Sequence, residues 1–290
     1  MELNGVSASR HLDSDGVNEI QDEILELEER LRNAKARLRT ALPAQSPKPS
    51  PGPHLAASTH FLLLLSDSAL PLGSFAFSSG LESYLAHNRR AATFAAFLSS
   101  SLSSFASTTL PFVLAAHRDP DALAALDDQL DAAIVCTVGR RASVAQGRAL
   151  LGIWERSFRA GQPAAVDDGV LRAFAALLRD ETKQDVPLAS AHLAPLFGAI
   201  CAILGLRLRQ TAYVFMLSHV KALISAAVRA SVFGPYQAQK VLAGQHVQSM
   251  IDDMIDREWA TPVEEAGQTV PVMDLWIGRH ETLYSRIFNS

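Results

Sequence analysis

The 290-residue chain has little of several features that mark particular classes of protein. It contains only two cysteines, Cys136 and Cys201, which lie far apart in apolar surroundings, so we expect small core side chains rather than a disulfide or a metal site. The 26 basic and 30 acidic residues nearly balance, with a formal net charge of -4. No field of one sign therefore favours binding to nucleic acid or to an anionic membrane.

Targeting and membrane-spanning patterns are also missing. No basic segment followed by an apolar one, the pattern of a secretory signal, stands near the N-terminus. The two most apolar stretches, 193–206 and 212–228, are shorter than the roughly 18 to 20 residues of a membrane span. We expect a cytoplasmic protein in which both stretches are core helices.

The common catalytic motifs do not occur either. The chain has no GxxxxGK phosphate loop, no GxSxG elbow and no HExxH helix, and its nine histidines are scattered. A lone histidine on an apolar helix, such as His219, is expected to be a hydrogen-bonded core residue. We predict no catalytic residue, no metal site built from this chain alone and no cofactor.

Hydrophobic residues make up 48% of the chain, and strict alternation of apolar and polar residues is nearly absent. This composition predicts an all-α protein with a single helical domain of roughly nine or ten helices. We predict four segments: a disordered N-terminus at 1–17, an amphipathic coiled-coil-like helix at 18–41, a Pro/Ser-rich linker at 42–58, and the domain at 59–290, which ends in a docking tail.

The predicted N-terminal helix carries an apolar seam with steps of four and three residues. The seam residues are Ile20, Ile24, Leu27, Leu31, Ala34 and Leu38. This spacing is typical of a short coiled coil. The helix is therefore either a site of self-association or partner binding, or a solitary appendage, and the sequence leaves both open.

Two aspartate-rich segments spell DDxxD, at 127–131 and 252–256. On a helix the first, second and fifth positions share a face, so the carboxylates could hold Mg²⁺ and a diphosphate, as in all-helical prenyl diphosphate synthases. The double arginine that such enzymes carry just after the first motif is missing. Solvated or helix-capping aspartates are the simpler interpretation.

Several helix boundaries can be predicted from local signals. Ser79 and Glu82 have the spacing of a capping box, Asp119-Pro120 predicts a helix start, and Gly234-Pro235 separates two helices. The prolines and glycine of 261–273 predict an irregular segment before the tail.

Three blocks of sequence resemble the UreF family of urease accessory proteins. The first is LPLGSFAFSSGLE at 70–82, which resembles the family signature LPxGxFxxSxGLE. The second comprises AHLAPLFGAICAILGL at 191–206 and ISAAVRASVFGPYQAQ at 224–239, and the third is RHETLYSRIFNS at 279–290. The resemblance covers 59–290. Thr109 stands where the family often has Asp, and Asn289 where it often has Arg.

The resemblance implies a non-catalytic scaffold and GTPase regulator in the complex that inserts nickel into apo-urease. It implies a UreD/UreH-type accessory protein, a UreG-type GTPase and apo-urease as partners, and a homodimer within the complex. Nickel would be handled by the complex and not bound tightly by this chain. Two alternatives stay open, a Mg²⁺-dependent synthase using the DDxxD segments and a coiled-coil adaptor unrelated to urease.

The resemblance also places partner contacts on particular residues. For the UreD/UreH-type scaffold, the predicted contacts in the tail are Arg279, His280, Glu281, Tyr284, Arg286, Ile287, Phe288 and Ser290. For the GTPase or dimer contact, they are Pro71, Gly73, Ser79, Gly80, Glu82, Arg229, Gly234, Tyr236 and Gln237. The tail could instead dock on its own domain, and the break near Gly234 could be purely structural.

Overall fold

The computed structural model describes residues 14–41, 56–88, 93–162, 166–180 and 189–289. These residues form twelve α-helices and no strand, which confirms the predicted all-α class with more helices than expected. The helices are α1 Ser14–Ala41, α2 Ala57–Ser66, α3 Leu81–His87, α4 Phe94–Arg118, α5 Leu123–Ala133, α6 Thr137–Ile153, α7 Gly169–Asp180, α8 Leu193–Ile203, α9 Leu208–Arg229, α10 Pro235–Leu242, α11 Gln245–Glu258 and α12 Val272–Arg279. A π-helical turn, Trp154–Phe158, follows α6.

The chain divides into two compact units, Met1–His54 and Leu55–Ser290. Helix α1 is the described part of the first unit, and it begins at Ser14, four residues before the predicted start. Every side chain described on it is exposed. In the second unit α2 begins at Ala57, so the predicted linker at 42–58 runs two residues too far. The predicted disorder of 1–13 and most of the linker lie outside the described residues.

Helix α4 is the central element of the second unit, because α5, α8, α9 and α11 all pack against it. Leu102, Leu110 and Leu114 on this helix are 0–1% exposed. Burial of such side chains, at about 2 kcal/mol each, supplies the main driving force for packing the domain. Helices α4 and α8 lie close together at Gly198 of α8, where a Cβ atom would lie 2.3 Å from the carbonyl oxygen of Val113 in α4.

A proline inside α4 ties a distant loop to this helix. Pro111 has no N–H, so the carbonyl oxygen of Ser107, four residues earlier, lacks its helical donor. The backbone N–H of Gly267 donates to that oxygen at 3.0 Å, and the hydroxyl groups of Ser107 and Thr269 are 3.0 Å apart. The segment 261–273, predicted to be irregular, is thus anchored on the central helix.

The described residues contain two helices, α4 and α9, that are long and apolar enough to cross a membrane by length and composition. More than half of the apolar window of each is buried within the protein. Such burial is typical of core helices. The stretches predicted to be core helices fall in α8, where eight of the 11 residues are buried, and in α9, where ten of the 22 are buried.

The first DDxxD segment organises the fold, and the expectation of solvated or capping aspartates is wrong for Asp127. Its side chain is fully buried and accepts three backbone N–H bonds, from Ser190 and His192 at 2.6 Å and from Ala191 at 3.0 Å. These bonds fix the chain entering α8, since Ala191 has a positive φ of 68°. A metal ion at Asp127 would have to replace all three donors.

Asp131 of the same segment completes this network. Burial alone would raise its pKa, but hydrogen bonds from Arg140 and His192 outweigh that effect and hold the pKa of Asp131 below its usual value. The His192 Nε2 atom donates at 2.9 Å and Arg140 Nε at 2.6 Å. In the second DDxxD segment, Arg209 bridges Asp252 at 3.0 Å and Asp256 at 2.6 Å on the surface.

Candidate partner-binding site

The LPLGSFAFSSGLE segment forms the turn between α2 and α3. Gly73, with φ 74°, starts a short 3-10 turn at Ser74–Ala76, and Ser79 and Gly80 follow with φ values of 49° and 86°. Left-handed backbone of this kind is what glycine tolerates best. The segment therefore folds back sharply twice and brings the start of α3 against α12.

Gly80 is buried at this contact. A Cβ atom on it would lie 3.0 Å from the backbone nitrogen of Ile277 and 3.1 Å from Trp276. In the described structure Gly80 thus makes a packing contact, and its contact with a partner stays a prediction. Gly73 is half-buried and Pro71 is exposed, and a Cβ atom on Gly73 would meet nothing within 4 Å.

The predicted capping box of Ser79 and Glu82 is wrong. Gly80 is the N-cap of α3, no side chain caps it, and the Glu82 N–H is 3.4 Å from the hydroxyl of Ser78 instead. The physical reason is that Ser79 has a left-handed backbone, with a φ of 49°, instead of the extended backbone of an N-cap serine. Tertiary donors engage the carboxylate of Glu82.

Glu82 binds the C-terminal tail through three hydrogen bonds. Its carboxylate accepts from His280 Nε2 at 2.8 Å, from the backbone N–H of Ile287 at 2.7 Å and from that of Phe288 at 3.2 Å. The Glu82 side chain is 13% exposed and His280 is fully buried. Charge-assisted bonds of this kind are about twice as strong as neutral ones, so Glu82 is the main anchor of the tail.

Arg229, at the end of α9, makes a second attachment. Its guanidinium lies 4.3 Å from the ring centroid of Phe288 and donates to the carbonyl oxygen of Phe75. Partial desolvation lowers the pKa of Arg229 from its ordinary value, and the group remains charged at neutral pH. The N–H of Asn289 donates to the carbonyl oxygen of Ala76 at 2.7 Å. The tail thus docks on its own domain, beside the turn at 74–76.

Some side chains of the docked tail are buried against the domain, and others are exposed to solvent. His280 and Phe288 are buried and hold the tail on its own domain, and their contact with a partner stays a prediction. Tyr284 is fully exposed and Ile287 is 63% exposed, and Phe75 beside the tail is 66% exposed. Arg279 and Arg286 are also exposed, and Glu281 pairs with Arg141. Ser290 lies outside the described residues.

The two predicted contact groups are therefore not separate. Glu82 and Arg229, predicted for the GTPase or dimer contact, hold the tail predicted for the UreD/UreH-type contact. Gly234, Tyr236 and Gln237 lie further on, at the exposed start of α10, where Gly234 is the N-cap and Pro235 the first helical residue. Tyr236 is 92% exposed.

A cleft of about 260 Å³ lies between α4, α6, α8, α9 and α12. Phe105, Cys136, His219 and several hydroxyl groups line it, including that of Thr109, which donates to the carbonyl oxygen of Phe105 at 2.5 Å. His219 Nε2 is 3.0 Å from the hydroxyl of Ser101, and the ring stacks on Phe105 at 3.9 Å. Burial lowers the pKa of His219 to about 3, so the ring is neutral. The expected hydrogen bond is present, but the side chain is half-buried at the wall of the cleft and not in the core.

Within the described ranges, no three His, Cys, Asp or Glu side chains come together as potential metal ligands. Cys201 is buried as predicted. Cys136 is only half-buried; it is the N-cap residue of α6 and lines the cleft. The role of Glu82 as a tail anchor escaped the sequence analysis, because its partners are about 200 residues away along the chain. The only signal in the sequence was that Glu82 and the tail both fall in blocks that resemble the UreF family.

Comparison with known proteins adds independent evidence. The sequence model of the UreF family matches residues 89–246. The chain is 38% identical over 234 residues to an uncharacterized urease accessory protein UreF-like from Schizosaccharomyces pombe, covering 80% of this chain and 97% of that protein. It is 34% identical over 229 residues to urease accessory protein F from Oryza sativa subsp. indica, covering 77% and 82%.

A third relative is urease accessory protein F from Arabidopsis thaliana, which is 31% identical over 233 residues and matches 78% of this chain and 90% of its own length. The aligned lengths span nearly the whole of these relatives, so the match extends beyond a single motif. The chain belongs to the UreF family of urease accessory proteins.

Proposed function

We propose that this protein is a non-catalytic scaffold and GTPase regulator in the complex that inserts nickel into apo-urease. Family membership and the names of the relatives support the accessory role. The observation that carries the proposal is the docked tail, whose backbone is fixed by Glu82 while Tyr284 and Ile287 stand in solvent. An exposed aromatic and an exposed aliphatic side chain on a fixed backbone are suited to insertion into a partner.

The proposed partner at the tail is a UreD/UreH-type accessory protein. Docking on Glu82 before binding would reduce the conformational entropy that the tail loses when the partner arrives. The exposed Arg279 and Arg286 would lie at the rim of this interface, where charges steer association more than they add affinity. The inward anchors His280 and Phe288 would act through the backbone they hold.

The proposed contact for a UreG-type GTPase, or for a second copy of the chain, is the start of α10. Tyr236 is 92% exposed and Gln237 is exposed beside it, next to the break after α9. Tyrosine is enriched in the energetic centres of interfaces because it buries a large rigid area. Nickel is cargo of the assembly in this proposal, and apo-urease is the acceptor.

The function is tested by urease activity in host cells without this gene, supplied with nickel, and again with the gene restored. We expect active urease to disappear without the gene and to return with it, while apo-urease protein persists. Unchanged activity in the deletion strain, in the absence of a second UreF-type gene, would refute the proposed function.

The tail contact is tested by capture of the UreD/UreH-type protein on this chain. The double variant Tyr284→Ala and Ile287→Ala should lose at least about tenfold in affinity, since each anchor contributes about 1–2 kcal/mol. Leu63→Ala removes an equally exposed side chain on α2, at 60% exposure, and is the control. Equal capture by the double variant and the wild type would exclude the tail as the contact.

A further inference from the structure

Helix α1 carries an apolar stripe whose described side chains are exposed. Ile24, Leu27 and Leu31 are 50–54% exposed, and they lie on the seam with the four and three residue steps. A solitary helix in water gains little from packing, and exposed apolar side chains of this kind are typical of a coiled-coil surface. The seam therefore needs a partner helix.

The charges beside the seam identify the kind of partner. With Ile24 and Leu31 at a positions and Leu27 at d, the flanking g positions are Glu23 and Arg30 and the e positions are Glu28 and Lys35. In a parallel pair, each g residue faces the following e residue of the other helix. Glu23 would then face Glu28 and Arg30 would face Lys35, so every such pair would repel.

An antiparallel pair of the same helix has a more favourable balance of charges. The acidic residues of α1 lie towards its start, at 15–29, and the basic residues towards its end, at 30–39. Reversing one copy sets the acidic half against the basic half, with Glu23 of one copy beside Arg37 of the other. Like charges meet only at the centre, where Arg30 faces Arg30 and Glu28 faces Glu28 of the other copy. The macrodipoles of the two helices also oppose each other, which is favourable.

We propose that α1 pairs with α1 of a second copy of this chain as an antiparallel coiled coil. Apolar layers then form between positions whose numbers add to 58: residue 24 with residue 34 of the other copy, and 27 with 31. The interface is separate from the proposed contacts of the tail and of α10. Where the domains are already held together in one complex, the high effective concentration of the two helices would strengthen the pairing.

Disulfide trapping in the full-length chain tests the pairing and its direction. The parent carries Cys136→Ser, because Cys136 is half-buried, while Cys201 is buried and stays. Variants Ile24→Cys and Ala34→Cys are oxidised mildly, alone and as a mixture. In the antiparallel pair residue 24 lies opposite residue 34, and two copies of residue 24 are about 15 Å apart, too far for a disulfide, which needs Cα atoms within about 7 Å.

We expect a covalent dimer in the mixture and none from either variant alone. Leu27→Lys, added to both variants, should reduce the dimer yield about tenfold or more by placing a charge in the seam. Leu25→Lys is the matched control, since Leu25 is 63% exposed and lies off the seam, and it should leave the yield unchanged. Cross-linking of Ile24→Cys with itself would show a parallel pair and overturn the proposal. Absence of any cross-link, or equal loss with both lysine variants, would also overturn it, and the urease test above is independent of either result.

Discussion

The carboxylate of Glu82 accepts a hydrogen bond from Nε2 of His280 at 2.8 Å, between residues 198 positions apart in the sequence. The same carboxylate accepts the backbone N–H groups of Ile287 and Phe288. One side chain in the first turn of α3 therefore holds the backbone at 287–288 in place. This relationship links two segments of the family signature.

Glu82→Gln should loosen the tail without unfolding the domain. The amide loses the charge and one acceptor oxygen, so we expect a loss of about 1–3 kcal/mol in the free energy that holds 286–289. Hydrogen exchange by mass spectrometry should show faster exchange of the Ile287 and Phe288 amides. Glu281→Gln is the control, since Glu281 forms an exposed pair with Arg141 that contributes about 0–1 kcal/mol. Unchanged exchange in Glu82→Gln would contradict the anchor.

Asp127→Asn should destabilise the whole domain. An amide offers one acceptor oxygen where the carboxylate offers two, and its NH₂ group would meet backbone donors, so we expect a loss of about 2–4 kcal/mol in the free energy of unfolding. Urea unfolding followed by circular dichroism measures the change. Asp128→Asn alters the neighbouring exposed aspartate of the same DDxxD segment and should change stability by less than about 0.5 kcal/mol. Similar effects of the two variants would argue against the structural role.

Two glycines of α6 should respond oppositely to the same substitution. At Gly147 a Cβ atom would lie 2.0 Å from the carbonyl oxygen of Ala191, whereas at Gly152 it would meet nothing within 4 Å. Gly147→Ala should therefore lower the melting temperature by forcing α6 away from 191–193. Gly152→Ala should raise it slightly, because alanine favours a helix over glycine by about 1 kcal/mol. Calorimetry measures the melting temperatures of the two variants. Equal shifts of the same sign would refute the close approach of Gly147 to Ala191.

His219 should make the domain less stable as the pH falls. Its pKa in the folded protein, lowered to about 3 by burial, lies below the unfolded value of 6.5, so between these values the unfolded chain binds a proton that the folded chain does not. The stability contributed by the neutral ring is fully present above pH 6.5 and is lost progressively down to about pH 3. Between pH 7 and pH 5 we expect a loss of about 2 kcal/mol from this group.

The measurement is urea unfolding of the wild type and of His219→Gln at both pH values. The variant should be less stable at pH 7 but should lose less on acidification. His246→Gln removes an exposed histidine of α11 and is the control for the loss of one imidazole ring. Between pH 7 and pH 5 it should lose as much unfolding free energy as the wild type. The same difference in all three proteins would contradict the assignment to His219.

The sequence predicted the parts of this protein that depend on local chemistry. The near absence of alternating patterns predicted the helical class, and Gly234-Pro235 correctly marked the start of α10. Asp119-Pro120 likewise marks the start of a short 3-10 turn, Pro120–Ala122, where the Asp119 side chain accepts the N–H of Asp121. These features follow from backbone preferences and side-chain period, which act over a few residues. The family blocks added the accessory role, which local chemistry alone could not have indicated.

The tertiary structure alone decided which side chains of those blocks face outward. Glu82 has the spacing of a helix cap with Ser79, yet Ser79 has a left-handed backbone and is not the N-cap. The Glu82 carboxylate instead accepts N–H groups of the tail, which are distant in sequence but lie beside it in the fold. Asp127 has the pattern of a metal ligand, yet it is buried under the turn before α8. A carboxylate binds whatever donors the fold brings within about 3 Å, and chain folding over 60 to 200 residues, not the neighbouring sequence, determines which donors those are.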